Sequence, residues 1–197
     1  MKACSIAPAS SPGKFSSSPV RKAASAPLVL QLGQTQNAQL IAVDRKPLQP
    51  ETFSGLDLLG YVDTSKSDLR EAVRQITGGR GVDVTYDCVG GELFEPVLST
   101  LGQLGRHVAV SCVGTARVSF DLLRFYHRRL TLLGVDSLAL TVTDGAKLLS
   151  FLAPLFESDR LKPAAIVHRG TLKNARDLYS YVAAGNPGKA VFTMAAT

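Results

Sequence analysis

Residues 40–46 read LIAVDRK: four apolar residues, an acid, then two bases. In an open α/β sheet this is how a buried parallel strand ends. The acid then sits at the strand's C-terminal edge, where it can accept hydrogen bonds from a ribose. That reading carries a companion requirement. About 20 residues before the acid, a G-x-G-x-x-G loop should join a first strand to a first helix and turn its N–H groups towards a pyrophosphate. Upstream of Asp44 the only glycines are Gly13 and Gly33.

Working outward, the chain alternates. LIAVDR and LLGYVD (58–63) read as strands, and SDLREAVRQITGG (67–79) reads as a helix. Ser67 is the expected N-cap of that helix, Leu69, Ala72, Val73 and Ile76 share one face, and Gly78 or Gly79 ends it. VDVTYDCVGG (82–91) is a strand, and ELFEPVLSTLGQLG (92–105) is a helix with a first turn disturbed by Pro96. RHVAVSCVG (106–114) is a strand, followed by an irregular stretch through Tyr126 and a strand LTLLGV (130–135). A helix over 143–159, bent at Pro154, precedes a strand AAIVHR, a helix TLKNARDLYSYVAAG and a strand KAVFTM. Such alternation predicts a doubly wound parallel sheet with helices on both faces. PLVLQL (27–32) lies only seven residues before LIAVDR, too few for a parallel crossover, so LVLQLGQTQNAQ reads as the second half of the crossover helix.

Composition narrows the class. Of 197 residues, 45% are hydrophobic and 19% charged, a globular balance, and no apolar run can span a bilayer. The net charge of +6 is concentrated at the start: residues 1–43 hold four bases and no acid, leaving 18 bases against 16 acids. A body so nearly balanced is not a nucleic-acid surface, and FYHRR (125–129) is too short to make one. Three cysteines without a C-x-x-C pair suit a reducing compartment, so a cytoplasmic location is expected. Residues 1–27 contain seven Ser and four Pro with no period, which predicts a disordered basic tail. The same composition fits an organellar transit peptide, or an abnormal reading frame that replaces the authentic first strand and loop. The last is favoured, because what is missing belongs just there.

The body resembles the cofactor domain of the medium-chain dehydrogenase/reductase superfamily, nearest its zinc-independent quinone oxidoreductase branch. The matching stretches are VRQITGGRGVDVTYDCVGG, LGRHVAVSCVG, LTLLGV, RLKP and AAGNPGKAVF. The resemblance implies a Rossmann-like dinucleotide-binding domain over 28–197, truncated at its first strand and glycine loop and without the GroES-like catalytic domain. It implies an NAD(P)H-dependent oxidoreductase, with a non-catalytic degenerate fragment or interaction module as the alternative. Asp44 is the expected ribose acceptor, favouring NAD, with a solvated acid in a turn as the alternative. Arg45 and Lys46 suit a 2′-phosphate equally well and leave NADP open. Cys88, Val89 and Gly90 close one strand beside the expected cofactor, with a small buried hydrophobe as the alternative role for Cys88. Ser111, Cys112 and Val113, with Gly134 and Val135, correspond to the family's nicotinamide-side strand ends. Ordinary strand-to-loop geometry, with Gly114 and Gly134 needed for turning, explains them equally well. Lys189 either reaches the cofactor or, as is commoner for a lysine at a strand start, is simply solvated. No residue of this chain is assigned a catalytic role. His107, His127 and His168 show no ligand spacing, so no metal is expected and structural or surface positions are. With the phosphate loop missing, cofactor binding is expected to be weak or lost. The expected partners are the small-molecule cofactor and a second copy pairing along the LTLLGV edge, with neither nucleic acid nor membrane.

Overall fold

In the computed structural model, residues 15–19, 25–45, 53–163, 166–184 and 189–194 are described. Within Met1–Leu161, one compact unit, a six-stranded parallel sheet runs in the order β3-β2-β1-β4-β5-β6. The strands are β1 (Phe15–Pro19), β2 (Gln39–Asp44), β3 (Leu58–Asp63), β4 (Val82–Asp87), β5 (Leu101–Ala109) and β6 (Thr131–Gly134). The helices of this unit are α1 (Ser25–Thr35), α2 (Leu69–Ile76), α3 (Phe94–Ser99), α4 (Leu122–His127) and α5 (Val142–Glu157). The strand order reverses between β1 and β4, the switch point at which doubly wound sheets open a crevice.

One expectation is overturned here. Residues 15–19 were expected within a disordered tail, and the first strand was expected to be absent. Instead Phe15–Pro19 fill the central slot, pairing with β2 over Phe15↔Gln39 to Pro19↔Val43 and with β4 at Ser16↔Val84 and Ser17↔Thr85. Parallel ladders are built from backbone N–H and C=O groups, so a Ser-rich segment without any hydrophobic pattern can still occupy a slot between two strands. Ser25–Pro27, also expected in the tail, begin α1, and the remaining tail residues, 1–14 and 20–24, lie outside the described residues, as does Lys46. The helix reading of LVLQL holds: α1 covers it, with Val29 and Leu30 buried.

The other elements follow from local chemistry. β2 is buried at every position from Leu40 to Asp44, as a strand covered on both faces must be. α2 buries Leu69 and Val73. A side chain of that size contributes about 1.5–3 kcal/mol when fully removed from water. Its N-cap is Asp68 rather than Ser67, the carboxylate accepting from Glu71 N at 2.8 Å. Helix α2 reaches β3 through Ile76, whose side chain fills the space beside Gly60, where a Cβ would meet Ile76 Cδ1 at 2.7 Å. The helix expected over 92–105 is shorter: a 3-10 turn (Gly91–Leu93) leads into α3, and β5 starts at Leu101. There Gly102 passes so close to Arg80 that a Cβ would lie 2.5 Å from its carbonyl oxygen. The stretch read as irregular contains α4, capped by Asp121, whose side chain accepts from Arg124 N at 2.9 Å.

Residues Lys162–Thr197 form a second compact unit, where a single domain over 28–197 was expected. It is a βαβ unit: β7 (Ile166–Gly170) and β8 (Lys189–Phe192) pair in parallel, with α6 (Ala175–Ala183) between them. Leu178 of α6 is buried over Gly170, where a Cβ would come within 2.5 Å of Leu178 Cδ1. His168 stacks on Tyr181 at a centroid distance of 5.0 Å, a structural position like that expected for it.

Candidate functional site

Parallel strands end together, so Asp44, Asp87 and the residues that follow β4, β5 and β6 share one edge of the six-stranded sheet. From β2 to β6 there are four strand spacings, about 19 Å.

Asp44 is 2% exposed at the end of β2. Its Oδ1 accepts from Arg45 N at 2.7 Å, and its carbonyl oxygen accepts from Thr64 N at 2.7 Å, which ties the end of β2 to the end of β3. Arg45 is exposed. Asp63, paired in register with Asp44, accepts from both Ser65 N and Ser65 Oγ, and these bonds with nearby Lys66 hold its carboxyl below the usual range. Burial, helped by the carboxylates of Asp44 and Asp63, pushes the Tyr61 phenol well above its ordinary value. A second carboxylate, Asp63, thus lies beside the expected ribose acceptor, with Lys66 Nζ 3.9 Å from Asp63 Oδ2.

The strand ends of β4 and β5 meet closely. Cys88, Val89 and Gly90 are buried, and the turn they start is held against the segment after β5 by Val113 N donating to Val89 O at 2.7 Å. Gly90 (φ +61°) and Gly91 (φ +56°) have left-handed backbones, and neither has room for a side chain. A Cβ on Gly90 would lie 2.7 Å from Ser111 O, and one on Gly91 would lie 2.5 Å from Val113 O. Two bare backbones therefore lie against each other, and Ser111 and Cys112 are left exposed beside them. Cys112 Sγ donates to Thr115 O at 3.3 Å. Cys88 is a buried small residue, as its alternative reading had it.

On β6, Gly134 pairs with Ala109, and Val135 N donates to Ala109 O at 2.9 Å. Gly134 was expected to be needed for turning. It has no positive φ, and a Cβ there would meet nothing within 4 Å, so its small size leaves open space instead. Val135 is half exposed. The edge thus brings together every candidate from Cys88 to Val135, with Asp44 two strands from β4. Lys189 lies in the second unit.

Two residues beneath the turn were not singled out as site residues from the sequence. Asp87 is fully buried, and its Oδ1 accepts from Val89 N at 2.8 Å and Gly90 N at 2.9 Å. His107, also fully buried, shares a hydrogen bond with Thr85 Oγ1 through Nδ1 at 2.8 Å and places Nε2 3.6 Å from Asp87 Oδ2. Burial raises the Asp87 carboxyl, against the pull of the two N–H groups, and lowers the His107 imidazole to about 4. The signal for Asp87 was in the sequence: D-x-x-G leaving a strand is an Asx-turn pattern, in which a carboxylate binds the N–H groups two and three residues on.

A sheet with this order and this edge defines a dinucleotide-binding class of fold. Comparison with known proteins makes the assignment specific: residues 27–153 match the zinc-binding dehydrogenase family model, and the chain belongs to that family within the medium-chain dehydrogenase/reductase superfamily. Among curated relatives, a zinc-type alcohol dehydrogenase-like protein of Schizosaccharomyces pombe is 26% identical over 137 residues, covering 68% of this chain and 38% of its own. A quinone oxidoreductase-like protein 2 of Bos taurus is 42% identical over 53 residues, 27% of this chain and 15% of its own. The crystal structure of a 2-haloacrylate reductase superposes with a TM-score of 0.80 at 19% identity, covering 94% of this chain and 59% of that one. A quinone oxidoreductase of Pseudomonas syringae gives 0.72 at 20% identity, covering 93% and 57%. The chain thus spans less than two thirds of the length of each of these relatives. Among the described residues no three His, Cys, Asp or Glu side chains come together to hold a metal ion. No helix among them is long and apolar enough to cross a membrane.

Proposed function

We propose that this chain is the cofactor-holding part of an NAD(P)H-dependent oxidoreductase of the quinone reductase type. The observation that carries the reading is the convergence of Asp44, the Cys88–Gly90 turn, Ser111–Val113 and Gly134–Val135 on one sheet edge that spans the switch point. When bound, a nicotinamide supplies the hydride for reducing a quinone or enone. The chain's own part is positioning. Asp44 accepts from the adenosine ribose, and the acidic pair Asp44 and Asp63 disfavours a 2′-phosphate, while exposed Arg45 opposes that preference. The open space at Gly134 admits a flat group of the ligand, and the close backbone contact at Gly90 and Gly91 fixes the edge beside it.

Affinity is where this chain departs from a complete homologue. The link between β1 and α1 reads VRKAA and holds no glycine. Each charge-assisted hydrogen bond lost from a pyrophosphate costs about 1.5–3 kcal/mol, so three of them weaken binding by about a thousandfold or more. The expected result of calorimetric titration is a millimolar dissociation constant for NADH and NADPH, with NADH the tighter, and no quinone reduction by the chain alone. A low-micromolar constant would overturn the weak-binding reading, and no heat with either cofactor up to about 10 mM would overturn the cofactor reading itself. A second copy is the proposed macromolecular partner, supported by the outer edge of β6, where Leu132 and Leu133 are 39% and 42% exposed.

A further inference from the structure

Buried polar atoms in a sheet normally find partners, and two that lack a hydrogen bond here face each other: Asp87 Oδ2 and His107 Nε2. Both side chains are fully shielded from solvent. Thr85 and Asp87 are two residues apart on β4 and so project to the same face, and Thr85 is paired in register with His107 on β5. The imidazole therefore bridges the two side chains, with Nδ1 2.8 Å from Thr85 Oγ1 and Nε2 3.6 Å from Asp87 Oδ2. On its other side it meets the Phe94 ring edge to face at 4.8 Å. Asp87 opens the turn and Phe94 follows it, so His107 touches the chain just before the turn and just after it.

We infer that Asp87 and His107 are positioning residues for the cofactor turn, linked with Thr85 in a polar chain that fixes the backbone of Val89–Gly91 from beneath the sheet edge. Hydrogen-bond logic decides the direction of that chain. Asp87 Oδ1 already accepts two backbone N–H groups, an arrangement suited to a carboxylate. Facing that carboxylate, Nε2 must carry the imidazole proton, since a bare lone pair there would repel Oδ2. Nδ1 is then the acceptor, and the Thr85 hydroxyl donates to it. In this arrangement the Nδ1 lone pair is satisfied by the Thr85 hydroxyl, and the Nε2–H dipole is aimed at the carboxylate across 3.6 Å. Because Gly90 and Gly91 already touch the backbone of Ser111 and Val113, a small movement of Asp87 is passed to both halves of the edge.

The inference rests on the cofactor reading above, so its test has one arm independent of any ligand. In the 15N-labelled full chain, two-bond nitrogen–proton spectra are expected to show His107 neutral with the proton on Nε2. His107→Phe keeps the ring against Phe94 and removes both nitrogens. It is expected to move the Val89 and Gly90 amide signals and to weaken cofactor binding about tenfold, with His107→Gln restoring part of both. Thr85→Val, a milder change, is expected to loosen the tautomer preference in a chain that still folds. A proton found on Nδ1, or amide signals that stay put in both His107→Phe and Thr85→Val, overturns the inference. If the native chain binds no cofactor, the cofactor reading falls, and the tautomer and amide signals still decide whether the chain holds the turn.

Discussion

Replacing Gly90 with alanine tests the close meeting of the two strand-end turns. Gly90 has φ 61° and ψ −150°, a region that only glycine visits freely, and forcing another residue into it costs about 1–3 kcal/mol. The new Cβ would also sit 2.7 Å from Ser111 O and 3.2 Å from Cys112 Cα. Both are backbone atoms, so no side chain can swing away and the turns must part, an overpacking cost of about 1–3 kcal/mol more. Taking a total near 4 kcal/mol, and about 2–4 °C per kcal/mol for a chain of this size, the melting temperature should fall by about 8–16 °C. Gly78→Ala is the matched control. Its φ is +59°, but a Cβ there meets nothing within 4 Å, so only the left-handed backbone cost of about 1–2 kcal/mol applies. Thermal unfolding by circular dichroism at pH 7 compares the two directly. Equal shifts would show that the turns do not touch, and the account of the edge would fail with them.

Acidification gives an independent measure of the buried histidine. His107 titrates at about 4 in the folded chain against 6.5 when free, so between these values the unfolded state holds the extra proton. Stability should therefore fall as pH drops from 6.5 to 4, by up to about 3 kcal/mol, less what the raised Asp87 carboxyl returns by taking its proton first in the folded state. A urea midpoint that rises on acidification would contradict this. Asp68→Ala removes the cap of α2 and should cost about 1 kcal/mol, read from the same urea curves. Leu133→Lys on the outer edge of β6 should shift size-exclusion elution from dimer to monomer, whereas a native chain that is monomeric at every concentration would refute pairing along that edge.

How much of this was legible in the sequence depends on where each element gets its stability. LIAVD and VDVTYD announced their strands because they are buried, and α2 announced itself through the spacing of Leu69, Ala72, Val73 and Ile76. Its cap was misplaced by one residue because Ser67 and Asp68 are both good caps. α4 is six residues long, too short to display a helical period. FSSSP could not be read as a strand because its place comes from the ladders on either side and not from any hydrophobic pattern. At the site, the candidate strand ends were found through resemblance and pattern. The buried layer beneath them escaped because His107 on β5 lies 20 or more residues from Thr85 and Asp87 on β4, and only the register brings them together.

The central position of β1 has a consequence for the order in which the sheet can assemble. β1 is the first described element to leave the ribosome, yet one of its two neighbours, β4, begins 63 residues after β1 ends. At 5–20 residues per second, about 3–13 s of synthesis separate the two. During that interval β1 can pair only with β2, and one of its edges is open to any extended segment nearby. The β4–β5 pair forms from sequence that is close together, so it can be complete before it docks. Assembly would then join two preformed halves along β1, making closure of that seam the slow step and its open edge the point at which a nascent chain is most exposed to misassociation.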